Sequence, residues 1–261
     1  MTGDTHGQMF LRIRNLSVRF AGIVALDRVS FDVAQGQICG LIGPNGAGKT
    51  TLFNCLSRLY TPSEGEVFLQ GQPLLSVAPH RTAKLGIGRT FQNLALFRSL
   101  SVRRNILVGA HAHTYANFFT DALRLPTVRR EEREIAAEID RLIALLDLTD
   151  VADQAADSLP FGTRKRVELA RALASRPSVL LLDEPAGGLN HEEVDHLREL
   201  ILSIREKLNL TILLVEHHMN LVMRVSDKVV AVDFGRKIAD GTPAEVQNNA
   251  DVIRAYLGNA A

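Results

Sequence analysis

From Leu11 to Phe20 apolar and polar side chains alternate, which predicts a strand with one buried face. Val29 to Val33 repeats the alternation, and Ala34-Gln35-Gly36 predicts a turn. Ile38-Cys39-Gly40-Leu41-Ile42 follows without a polar break, the pattern of a strand buried on both faces. Leu52 to Leu59 then carries apolar residues at helical spacing. Thr61-Pro62-Ser63-Glu64-Gly65 ends that helix, and Glu66 to Leu69 predicts another short strand. The middle of the chain changes period. Helical spacing dominates from Val102 to Leu148, broken around Asn117 to Pro126. Arg129 to Leu148 predicts an amphipathic helix with Ile135, Ile139, Leu142, Ile143 and Leu146 on one face. Its charged start, Arg129-Arg130-Glu131-Glu132-Arg133, reads as a solvated helix end. After Asp157 strands and helices alternate. Helices are predicted over Thr163–Ser175, Glu192–Leu208, Met219–Val225 and Ala250–Leu257. Strands are predicted over Val179–Leu182, Thr211–Val215 and Lys228–Asp233. Such alternation predicts an α/β fold with a parallel sheet covered on both faces. A β-rich opening precedes it and a helical segment is inserted in it. Met1 to Gln8 reads as a loose tail.

Composition narrows this picture without redirecting it. The chain has 261 residues, 46% hydrophobic and 23% charged, with a formal net charge of +1. That balance supports a sizeable core and gives no global field for nucleic acid or an anionic membrane. Cys39 and Cys55 lack CxxC spacing and read as small core residues in a reducing compartment. No stretch approaches the roughly 20 apolar residues of a membrane span. The chain therefore reads as soluble and cytoplasmic, brought to any membrane by a partner.

The candidate chemistry begins just after the third strand. Gly43-Pro44-Asn45-Gly46-Ala47-Gly48-Lys49-Thr50-Thr51 fits the phosphate-loop pattern G-x-x-x-x-G-K-[ST], between a strand and a helix. The glycines let backbone N–H groups approach phosphate closely. Lys49 is placed for the β- and γ-phosphates and the Thr50 hydroxyl for Mg²⁺. Downstream, Val179-Leu180-Leu181-Leu182-Asp183-Glu184 ends a buried strand in two carboxylates. In a parallel sheet, ligands sit beyond such strand ends. Asp183 is placed to hold Mg²⁺ through its water shell and Glu184 to polarise an attacking water. Shortly before that strand, Leu159-Pro160-Phe161-Gly162-Thr163-Arg164-Lys165-Arg166 forms a glycine-containing turn opening a basic-faced helix.

This order of motifs resembles the ATP-binding cassette (ABC) ATPases over roughly residues 10 to 257. The resemblance implies a RecA-like parallel core with an N-terminal antiparallel β subdomain and an inserted α-helical subdomain. The expected division is one domain over 9–257: a nucleotide-binding core over 9–97 and 158–245, a helical subdomain over 98–157, and a C-terminal helix over 246–257. The family signature Leu-Ser-Gly-Gly-Gln is matched at Leu159 and Gly162 only. Pro160 stands where the family serine donates to the γ-phosphate, and proline supplies neither hydroxyl nor N–H. Phe20, 29 residues before Lys49, takes the place of the family aromatic that stacks on adenine. Gln92 resembles the glutamine that contacts Mg²⁺ and water. Gly188-Leu189-Asn190 resembles the loop at the dimer interface, with Asn190 where Asp is usual. His217, rather than its neighbour His218, falls in the register of the switch histidine. By resemblance the signature acts in trans, on ATP held by a second ABC ATPase subunit in a homo- or heterodimer.

Longer stretches resemble the ATPase subunits of branched-chain amino-acid importers. They are Phe20 to Leu26, Thr90 to Phe97, Glu184 to Asn190, Gly241 to Glu245 and Val252 to Gly258. The segment His111 to Arg130 fits the longer of that importer's two ATPases. The implied partners are two membrane permeases and, indirectly, a solute-binding protein, with the chain peripheral at the cytoplasmic face of a bacterial inner membrane. Urea and amide importers and the lipopolysaccharide-export ATPase share most of these features. A nucleic-acid ABC machine would need long coiled-coil insertions or a basic surface, and neither is written here. A small-molecule kinase would lack the signature helix and the switch histidine.

Overall fold

The computed structural model describes residues 9–92, 94–111 and 126–257. The readings made on Met1 to Gln8, on most of His111 to Arg130 and on Gly258 lie outside the described residues. Two sheets organise the rest. The first is antiparallel, with strand order β2-β1-β4-β5, from β1 (Met9–Phe20), β2 (Ile23–Ala34), β4 (Glu64–Leu69) and β5 (Gln72–Pro73). The second has six strands in the order β10-β9-β3-β8-β7-β6. Its strands are β3 (Ile38–Ile42), β6 (Ile87–Arg89), β7 (Val179–Asp183), β8 (Thr211–Val215), β9 (Lys228–Asp233) and β10 (Arg236–Gly241). All its neighbours pair in parallel except β10, which turns back antiparallel on β9.

The uninterrupted apolar runs have a clear cause. In β7 and β8, Leu180, Leu182, Ile212 and Leu214 face one cluster, whereas Val179, Leu181, Leu213 and Val215 face another. Side chains alternate across the pleat, so a strand covered on both faces is apolar throughout. One cluster holds α1 (Lys49–Leu56) between the two sheets, with Leu52, Phe53 and Leu56 buried against Ile13, Phe31 and Val230. The other joins the opposite sheet face to the helices Phe161–Ala174 and His191–Leu208. The helices Val102–Ala110 and Pro126–Leu145 extend that same cluster, through Val102, Ile106, Ile139 and Leu142. Ile143 and Leu146 are buried with them and Ile135 packs at the margin, so the predicted amphipathic face is the packing face.

Several boundaries moved; the helix predicted over Arg129–Leu148 runs Pro126–Leu145, and the strand predicted from Glu66 starts at Glu64. The helix expected to reach Leu59 stops at Leu56, where Arg58 takes a left-handed φ of 61° and Leu59 is left exposed. β2 begins earlier than the alternation predicts, because pairing with β1 carries it back to Ile23.

Cys39 and Cys55 are both free and buried. Burial pushes the Cys39 thiol up to about 12 and the Cys55 thiol up to about 11. Since the thiolate is the nucleophile, neither should react with a maleimide in the native protein at neutral pH. Labelling should follow the unfolding curve; modification of either cysteine before unfolding would contradict this packing. Among the described residues, no helix is long and apolar enough to cross a membrane.

Candidate functional site

The site lies beyond the C-terminal ends of the neighbouring parallel strands β3, β8, β7 and β6. β3 runs into the loop of residues 43 to 48. Gly43 sits so close to β9 that a Cβ there would come within 2.1 Å of the Val232 carbonyl oxygen. Gly48, at φ 101°, caps α1, and a Cβ there would lie 2.6 Å from the Ala25 carbonyl. Only glycine fits either place. The cap makes no side-chain hydrogen bond, and the first turn of α1 holds no acidic residue. Its N-terminal N–H groups are therefore free of side-chain acceptors, and the helix end suits an anion. Lys49 is 5% exposed, and its ammonium donates to the carbonyls of Gly43 (2.6 Å) and Pro44 (2.9 Å). Burial pulls Lys49 below the ordinary lysine value, and the Glu184 and Asp183 carboxylates push it back up. Asn45, Gly46 and Thr50 are exposed along the loop, Pro44 and Thr51 half-buried, and Ala47 buried.

β7 delivers two carboxylates to different surroundings. Asp183 is buried, and Arg89 at the end of β6 donates to its Oδ2 at 2.8 Å. Arg89 also reaches Asn54 Oδ1 and Ser57 Oγ, and its guanidinium lies between the Phe53 and Phe91 rings at 5.7 and 5.3 Å. Glu184 is the meeting point of three strand ends. Gln92 Nε2 donates to its Oε2 at 2.8 Å, and His217 Nε2 lies 2.8 Å from its Oε1. Its backbone N–H donates to Val215, and its φ is 48°. Because Gln92 presents its nitrogen to Glu184, its amide oxygen is the atom left for a cation. The Thr50 hydroxyl, the Asp183 carboxylate and that amide oxygen form an all-oxygen donor set of the kind Mg²⁺ takes.

Glu216, 1% exposed, stands behind the histidine. It accepts from the backbone N–H groups of Ala186, His217 and His218, tying the β7 loop to the β8 loop. His218 itself is exposed and caps the helix Met219–Val225.

Phe20, at the end of β1, makes an edge-on contact with Tyr60, just after α1, ring centroids 5.3 Å apart, and both rings are partly exposed. A flat aromatic ligand would meet this pair. The turn Leu159 to Thr163 makes no hydrogen bond to Lys49, Asp183, Glu184, Gln92 or His217, although Gly162 and Thr163 line one cavity with Phe91 and Asp183. Leu159 is buried, Pro160 caps the helix without a side-chain bond, and Phe161 is exposed. The Phe161 ring lies under Arg164 and Lys165 and packs on Gly188, where a Cβ would come within 2.9 Å of it. Asn190 closes a capping box with Glu193, so its side chain is spent on the helix His191–Leu208. Thus one chain brings together the loop of residues 43 to 51, Asp183, Glu184, Gln92 and His217, while the turn at 159–163 adds no hydrogen bond to that group.

Sequence reasoning passed over Arg89, Tyr60 and Glu216. Arg89 carried a visible signal, a charge closing the short apolar stretch before Gln92. Glu216 sits between an apolar strand and His217, where a surface acid reads the same.

A phosphate cradle, a buried carboxylate and a glutamate held by Gln92 and His217, on a doubly covered parallel sheet, define a nucleoside-triphosphate-hydrolysing cassette. Comparison with known proteins agrees. The profile of the ABC transporter family matches residues 26–187, and that of the branched-chain amino acid ATP-binding cassette transporter matches residues 236–261. The high-affinity branched-chain amino acid transport ATP-binding protein BraF of Pseudomonas aeruginosa is 42% identical over 250 residues, 96% of this chain and 98% of that protein. The corresponding LivG of Escherichia coli is 42% identical over 253 residues, 97% and 99% of the two chains. A crystallised ATP-binding cassette of an ABC transporter, in its ADP conformation, superposes with a TM-score of 0.84 at 28% identity, over 97% of this chain and 100% of its own. The chain belongs to the ABC transporter family, as an ATP-binding, ATP-hydrolysing subunit of the branched-chain amino-acid group.

Proposed function

We propose that this chain is the motor subunit of an importer for branched-chain amino acids, hydrolysing MgATP at the site around Lys49 and Glu184. The observation that carries the chemistry is Glu184 held on one oxygen by Gln92 and on the other by His217. The observation that carries the solute class is the match along the whole chain, including the C-terminal residues 236–261.

Lys49 and the N–H groups at the start of α1 hold the phosphates. Thr50, Asp183 and the Gln92 oxygen would hold Mg²⁺, which when bound offsets charge on the β- and γ-phosphates. Glu184 accepts from the attacking water and orients it; His217 fixes the carboxylate and faces the γ-phosphate. Phe20, with Tyr60, packs on the adenine. The reaction needs positioning and charge more than covalent chemistry. Leu159 to Thr163 makes no hydrogen bond to this chain's own loop; the turn serves a second ATPase subunit, and that subunit's turn completes the site here. Gly188, Leu189 and Asn190 border the same interface. The described helices of this region, Val102–Ala110 and Pro126–Leu145, form a helical subdomain that moves with the turn. The complex includes two permeases and a solute-binding protein, and the chain sits on the cytoplasmic face of the membrane.

Pro160 makes the turn a poor donor. Replacing Pro160 by Ser restores a hydroxyl at the helix start, which also caps the helix for about 0.5–2 kcal/mol. In the assembled complex, Pro160→Ser should raise ATP affinity or turnover at the site this turn completes. No change in either would show that Thr163 and the backbone already suffice.

The solute is tested by purifying the chain with its permeases and binding protein from membranes. ATP turnover should rise on adding leucine, isoleucine or valine. A rise only with urea or an amide, or co-purification with lipopolysaccharide-export components, would overturn the assignment.

A further inference from the structure

Gln92 points at Glu184 from a loop in which the Phe91 and Phe97 rings are exposed; its anchors on the far side are Leu96, packed on the core, and the Phe97 backbone, held by Asn105. Nearer Gln92 the hold comes from elsewhere. Glu168, in the middle of the helix Phe161–Ala174, is a carboxylate only 2% exposed. It accepts from the Phe91 N–H at 3.2 Å, immediately before Gln92. The Ala95 backbone, on the other side of Gln92, lies near enough to help favour its charged form. One turn further along the helix, Arg171 donates to the Ala95 carbonyl and lies 3.9 Å from Glu168. One turn earlier, Lys165 reaches the backbone carbonyl of Glu184 at 3.5 Å, with its ammonium over the Phe161 ring. Lys165, Glu168 and Arg171 follow i, i+3, i+6 spacing and share one helix face.

We infer that Glu168 is the positioning residue for Gln92, and that its helix ties the turn at 159–163 to the hydrolytic glutamate of the same chain. The inference rests on the roles proposed above for Gln92 and for the turn.

A buried carboxylate is costly where an apolar residue would pack. Burial pushes the Glu168 carboxyl up, and the Phe91 N–H, Lys165, Arg171 and the Ala95 backbone hold it down. The one hydrogen bond among them, from the Phe91 N–H, reaches the residue next to Gln92, and Arg171 holds the Ala95 carbonyl beyond it. Packing does not explain the position as well. A cavity of about 270 Å³ runs beside it, lined by Phe91, Lys165, Glu168 and Leu182. On this side, hydrogen bonds rather than continuous side-chain contact join helix and loop. A displacement of the turn by a partner's nucleotide is therefore carried to Gln92, and through it to Glu184.

A double-mutant cycle on ATP turnover by the complete transport complex tests the link. Glu168→Ala should lower the unfolding midpoint, since it strands Arg171 and the Phe91 N–H, and, assayed well below that midpoint, should lower kcat several-fold with KM for ATP little changed. Glu168→Gln, which keeps an acceptor for one N–H, should recover part of the rate. In a Gln92→Ala background, Glu168→Ala should cost less than twofold further. An equal loss in both backgrounds, or an unchanged kcat in Glu168→Ala, overturns the link while leaving the role of Gln92 intact. An unchanged rate in Gln92→Ala alone overturns that role, and the link with it.

Discussion

Glu184→Gln should bind ATP as tightly as the native chain and turn it over about 10²–10⁴ times more slowly, the usual share of a general base. That loss is about 3–5 kcal/mol of barrier. The substitution is nearly isosteric. The Gln92 amide and the His217 ring, each 2.8 Å from a Glu184 oxygen, keep a polar partner. Lys49 and the start of α1, proposed above to hold the phosphates, are untouched. Only the acceptor for the water's proton is lost. Because ATP stays bound, the variant should accumulate in the closed, paired state, read as a stable dimer in the presence of MgATP. Equilibrium binding and single-turnover rates on one preparation check both halves. Weakened ATP binding, or turnover within about threefold of native, would remove Glu184 from the role assigned to it.

Lys49→Met should fail in the opposite way, by losing the nucleotide. The ammonium is buried and donates to two loop carbonyls. Methionine keeps the volume and removes the charge. Truncating one member of a buried, hydrogen-bonded charge pair costs about 2–5 kcal/mol, or roughly 30- to 5000-fold in affinity. A fluorescent ATP analogue titrated into native and variant chains gives this directly. The two variants separate binding from chemistry: one retains nucleotide without turning it over, the other retains Glu184 without holding nucleotide. Equal affinity in Lys49→Met would show that the loop N–H groups alone bind the phosphates.

The residues whose roles depend on their neighbours in the chain were the legible ones. β3, β8 and β9 end where the apolar runs end, because a strand covered on both faces has no polar position inside it. Lys49, Asp183 and Glu184 announce themselves because strand, loop and helix position them locally. β10 carried no such signal. Arg236, Lys237 and Asp240 look like loop residues, and only pairing with β9 across the Phe234-Gly235 turn makes them a strand. β6 is three residues long, and its pairing with β7 makes it a strand. The end of α1 shifted for a similar reason, since the helix stops at Leu56 when the core does, not when the spacing does.

Among the site residues, those acting through space were hidden. Arg89, Glu168 and Glu216 are charged side chains that sequence places on the surface. The fold buries each against a partner distant in the chain: Asp183 for Arg89, the Gln92 loop for Glu168, and Ala186 for Glu216. His217 and His218 were separable only by register along β8, and the structure sets His217 alone against Glu184.

The central claim is that this nucleotide site is half a site. Turnover per chain, measured across a dilution series and then with the partner cassette titrated in, tests it most directly. The account predicts that specific activity falls on dilution, rises as the partner is added, and saturates when each chain has one neighbour. A specific activity that is the same at every dilution, and indifferent to the partner, would mean that one chain hydrolyses ATP unaided and would contradict it.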